Sequence, residues 1–145
     1  MLLILLVAVV ATLEAQQGGR VTGDPEQTVR AFLVPFGNGD RAGFMRYFAE
    51  NATVFLPGGP FPAARVSGKA NIEQAFAPLP APQPGIQRPA LEPLDVQVDQ
   101  SDSMAIVTFH LVNDARRGRR TFVLRRDATG WLIVHLHASN ITTEP

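Results

Sequence analysis

The last third of the chain is a series of strand-forming segments separated by short turns, and that pattern commits it to a sheet. "LDVQVDQ" sets Leu94, Val96 and Val98 against Asp95, Gln97 and Asp99, so one of its faces is wet. "MAIVTFHLVN" is apolar on both faces, as a central strand requires. "TFVLRR" and "WLIVHLHAS" follow, across turns at "NDARRGRR" and "DATG". Connections this short join antiparallel neighbours. The apolar side of such a sheet must be covered, and the preceding residues supply the cover.

Three helical patterns lie ahead of it. Asp24 offers an N-cap, Pro25 suits the first helical position, and Gln27 completes a capping-box spacing. Val29, Phe32, Leu33 and Phe36 form one apolar stripe, with Pro35 expected to bend or end the helix near it. Asp40 can cap a second, shorter helix carrying Phe44, Met45 and Phe48. "ATVFL" reads as a strand that ends at the Pro/Gly loop "PGGPFPAARVSG". A third helix is expected over residues 69–76, with Ile72, Ala75 and Phe76 inward. Residues 77–93 are too rich in proline for helix or central strand and read as a long ordered loop. Helices segregated on one side of a curved antiparallel sheet make the fold class α+β.

One domain accounts for 145 residues, a length that buries roughly 70% of the unfolded surface without a staple. Thirteen basic and thirteen acidic residues cancel, so no net field draws the chain to nucleic acid or to an anionic membrane. The absence of Cys excludes disulfides and thiolate chemistry. Residues 2–13, "LLILLVAVVATL", are an unbroken apolar run too short to span a bilayer and of the length of a signal-peptide h-region. Residues 1–20 are therefore expected to be a signal peptide with a short linker. Residues 21–145 are then the exported domain, periplasmic or extracellular, with no stable membrane insertion after cleavage.

"NGDRAGFMRYFAENATVFLP", "VSGKANI" and "RRDATGWLIVHLHASN" together resemble the SnoaL-like branch of the nuclear transport factor 2-like superfamily. The tail, "RRD..GW.IVH.H.S", is similar to the end of the association domain of calcium/calmodulin-dependent kinases. The resemblance implies a cone: a sheet curled around three helices, with a pocket opening between them. It also implies a homodimer formed through the outer face of the sheet. Its members include isomerases, dehydratases, cyclases, hydrolases and plain binding modules, so the fold does not choose the function.

The same resemblance suggests where the polar residues stand. In the kinase domain the positions like His110, Thr121 and Ala138 line the pocket, some of them as arginines that suit a carboxylate. Here that anionic clamp is expected to be lost. The implied ligand-binding set is His110 and Thr108 with Thr121, Val123, Val134 and Leu136, a mostly apolar pocket for a small molecule. By alternation His135 and His137 then face outward, to the expected dimer interface, unless a bulge reverses the count. Dividing the three His between two faces leaves no metal site, since a metal would want a third ligand beside that pair. No cofactor is expected.

Enzymes of this superfamily mostly need a carboxylate inside the cavity, often with Tyr, so that burial tunes proton transfer. Here the strand interiors carry no acid on an apolar face, and Tyr47 is the single Tyr. Three functions follow: a small-ligand-binding module, a small isomerase, cyclase or hydrolase with His110 and Tyr47 as acid/base, or a homodimerisation module without ligand. "RRGRR", residues 116–120, falls at an expected hairpin tip without interleaved aromatics, so no nucleic-acid partner is expected.

Overall fold

In the computed structural model, residues 23–86, 88–113 and 116–142 are described. The apolar run of residues 2–13 lies outside them. Helix α1 (Pro25–Asn38) starts as its sequence predicts, with the Asp24 carboxylate accepting from the Gln27 N–H at 2.8 Å. Pro35 does not stop it. The helix runs three residues further and closes on Gly39, whose φ of 74° is the left-handed conformation glycine takes without penalty. The N–H groups of Gly39 and Asp40 satisfy the carbonyls of Phe36 and Pro35. Asp40 in turn caps α2 (Arg41–Met45), accepting from the Gly43 N–H at 2.9 Å.

Phe48, expected on the second helix, instead opens strand β1 (Phe48–Phe55), which turns back to the two-residue β2 (Val66–Ser67). Helix α3 (Lys69–Ala75) follows and buries Ile72 and Ala75. The long strands β3 (Leu94–Gln100), β4 (Met104–Asn113), β5 (Arg116–Asp127) and β6 (Gly130–Thr142) then form the expected meander. The sheet order is β2-β1-β6-β5-β4-β3, curved and unclosed. One expectation needs correcting: the sheet is mixed, because β1 lies parallel to β6. The chain leaves β1 for the far edge and returns to it only through the last strand, which no local pattern announces.

The helices cover one face of this sheet through an aromatic core. The Phe32 ring lies 5.3 Å from those of Phe36 and Phe122 and 5.8–6.1 Å from Phe44, Phe48 and Tyr47. Most of these pairs meet edge to face, the arrangement that adds about 0.5–1.5 kcal/mol per pair to the burial itself. Among the described residues no helix is long and apolar enough to cross a membrane.

The face each strand presents follows from its register. Opposed residues share a face, and β4, β5 and β6 line up as the inner rows Ala105–Leu124–Ile133, Val107–Phe122–Leu136, Phe109–Arg120–Ala138 and Leu111–Gly118–Asn140. The outer rows are Ile106–Val123–His135, Thr108–Thr121–His137 and His110–Arg119–Ser139. On β6 the pairing skips Val134, which has no partner on β5, and this bulge reverses the alternation. Trp131 and Ile133 are therefore buried before it, Leu136 and Ala138 after it.

Candidate functional site

A cavity of about 230 Å³ opens between α1, α3 and the inner face of the sheet. Helix α1 contributes Phe32, Leu33 and Phe36, while Phe61 and Phe76 close it from the β1–α3 side. The sheet provides Phe109, Leu111, Phe122, Leu136 and Ala138. Six of the chain's nine Phe line it. The proline-rich loop adds Leu79 to its wall, and Leu91 of the same loop packs against α1 beside Gly37. Loop 77–93 therefore builds part of the rim.

The polar groups of the cavity are Arg120 and Asn140. Arg120 occupies an inner row of β5, and its guanidinium folds back over the next row. Nη1 donates to the carbonyls of Arg119 at 2.8 Å and Ser139 at 3.0 Å, and both Nη1 and Nη2 lie 3.3 Å from Asn140 Oδ1. Gly118 makes this path possible, since a Cβ there would stand 2.7 Å from both terminal nitrogens. Burial lowers the Arg120 pKa from its ordinary value, yet an arginine stays charged at any physiological pH. Among the described residues no carboxylate pairs with it, and none lines the cavity. The cavity is apolar with one fixed positive end.

That arrangement differs from the one expected. His110, Thr108, Thr121 and Val123 stand on the outer face, with the sheet between them and the cavity. The reason is the character of β4 and β5: both faces are apolar enough to be buried, and the bulkier sets, Phe109 and Phe122, take the inside. Val134 sits at the bulge, partly buried against the core, and is not in the cavity wall. Leu136 is in the wall, as is Ala138. Tyr47 packs edge to face on Phe32 and does not line the cavity, so it and His110 are not brought together. The missed residue is Arg120. Counting back by twos from Leu124 and Phe122 would have found it, but its place in "RRGRR" suggested a solvated hairpin tip.

All three His share the outer face, another departure from the expected division. His135 Nδ1 is 2.7 Å from Thr53 Oγ1, and the rings of His135 and His137 each lie 5.9 Å from that of Phe55. Burial, then the charges of His137 and Arg65, lower the His135 pKa. His110 is two strands away, with its Nδ1 3.7 Å from Asp95 Oδ2. Two strand spacings, about 9–10 Å, separate its strand from that of His137. Among the described residues no group of three metal-ligating side chains forms.

The sequence matches no curated protein. Its backbone is similar to several solved structures. A ketosteroid isomerase-like protein of Erwinia carotovora atroseptica is 21% identical, with 81% of this chain and 93% of that one covered and a TM-score of 0.59. An NTF2-like protein of unknown function from Pseudomonas putida is 16% identical, covering 79% and 82%, with a TM-score of 0.63. The CamKII hub homology domain of Chlamydomonas reinhardtii is 20% identical, covering 81% and 96%, with a TM-score of 0.60. At these identities the likeness is one of fold. A model of the SnoaL-like domain matches residues 26–144, from the first helix to the end of the last strand, and the protein belongs to that family.

Proposed function

We propose that the protein binds a small organic molecule in the cavity between its helices and the inner face of its sheet. The observation that carries this reading is the cavity wall: six Phe and several aliphatic side chains converge on one open space, with Arg120 and Asn140 as its polar end. Few, fixed polar groups in an apolar concavity are what small-molecule sites are made of. The residues expected to transfer protons, His110 and Tyr47, are elsewhere, which favours binding over acid/base turnover. The apolar run of residues 2–13 supports export of this binding domain.

We place the partner surface on the other side. The outer face carries Phe55, Met104 and Ile106 more than a third exposed, with His135 and His137 against Phe55. Five long strands offer roughly 600 Å² per copy there, close to the lower bound for a specific homodimer. Sedimentation equilibrium should give a dimer that Ile106→Arg converts to monomer, and a wild-type monomer at micromolar concentration would contradict the assignment.

Ligand-observed NMR of the full chain against a mixed small-molecule library tests the binding reading. Ala138→Leu, which fills the cavity, should abolish the hits while His110→Ala keeps them. Hits that survive Ala138→Leu and vanish with His110→Ala would move the site to the outer face, and a wild type without hits would sink the reading.

A further inference from the structure

The Arg120 guanidinium narrows the class of ligand. Placing a cation at the end of an apolar cavity costs free energy unless an anion meets it. None of the ion pairs among the described residues involves Arg120. Its acceptors are two backbone carbonyls on one flank and the Asn140 amide oxygen, all neutral. Those bonds use the terminal nitrogens, and among the described residues Nε–H has no acceptor. Among the described residues the side chain is thus oriented without being neutralised. Gly118 contributes by omission, leaving the backbone bare where the guanidinium lies down.

Resting on the binding reading above, we infer that the cavity takes a small organic anion with an aromatic body, an arylalkanoic acid, whose carboxylate meets Arg120 at the end marked by Gly118 and Asn140. The charge follows from a cation that, among the described residues, meets no carboxylate, either in an ion pair or in the cavity lining. The aromatic body follows from the six Phe of the wall, which offer edges and faces to a ring. The size follows from the volume: about 230 Å³ lies below the roughly 300–1,000 Å³ of sites for drug-sized molecules, so one ring and a short chain fill it. Guanidinium suits this task because its planar fork can meet both oxygens of a carboxylate.

The test is a calorimetric titration of the full chain with a matched pair, 3-phenylpropanoate and 3-phenylpropanamide, which share shape and differ in charge. The acid should bind about 10- to 100-fold more tightly, the range that a charge-assisted hydrogen bond carries. Arg120→Gln should make the two equal, and Arg120→Lys should restore only part of the preference. Gly118→Ala offers an independent route: the added methyl meets the movable end of a side chain, so the fold should survive while the guanidinium shifts and the preference drops. Acid and amide binding equally to the wild type, with both lost in Ala138→Leu, would overturn the anionic ligand and leave the cavity reading standing. Neither compound binding, together with a library screen without hits, would overturn both.

Discussion

The two faces of strands β4–β6 are built from alternate residues of the same segments, and they differ in kind. The inner face is aromatic and aliphatic and closed by helices, and among the described residues that line its cavity one, Arg120, is charged. The outer face holds all three His, several Thr and a few exposed apolar side chains. Chemistry-bearing residue types are commoner outside, yet the cavity lined by six Phe is inside. The lesson is that a residue's reactivity counts only where the register of its strand puts it next to enclosed space.

Substitutions at adjacent positions break the comparison most sharply. Phe122 is fully buried between Phe32 and Phe109, so Phe122→Ala should cost about 3–5 kcal/mol of stability in urea unfolding. Val123, one residue on and facing out, should cost less than about half as much when cut to Ala, because it is only partly buried. Equal costs would mean that the faces are not distinct. Next in size is Thr53→Val, which removes the 2.7 Å hydrogen bond to His135 and should cost about 0.5–1.5 kcal/mol by the same measurement.

Acid should act through the outer face. His135 has a lowered pKa in the fold, so between that value and the ordinary histidine value the unfolded chain binds more protons than the folded one. Its contribution is fully present above the ordinary value and is lost as pH falls through the lowered one. Thermal stability measured from pH 7.5 to 5 should therefore decline on acidification, and His135→Gln should flatten part of that decline. An unchanged slope in the variant would remove His135 from the account. The smallest effect belongs to His110→Ala, expected to change stability by less than about 0.5 kcal/mol, because the partner Asp95 is largely exposed.

Much of the fold was legible. Asp24 and Asp40 announced their helices because a short acceptor before an amphipathic run has a local job that tertiary context did not override. The four-strand meander was legible because its turns are short. Pro35, expected to bend or end the helix near it, stands in the last turn, which closes on Gly39. The parallel pairing of β1 with β6 depends on residues more than eighty positions apart, beyond any local pattern. The cavity wall was the least legible part. Strand β4 is apolar on both faces, so alternation alone leaves two equivalent choices, and the bulge at Val134 reverses the count on β6. Arg120 was hidden in a basic run whose other arginines, Arg116, Arg117 and Arg119, are exposed, as such clusters usually are.

The most direct test of an inner-face function is a methyl NMR titration with 3-phenylpropanoate on a sample labelled at Leu, Val and Ile. The inner-face methyls of Leu111 and Leu136 should shift with the ligand, while those of Ile106 and Val123, on the same strands but facing out, stay in place. Shifts confined to Ile106 and Val123, with Leu111 and Leu136 silent, would contradict the account.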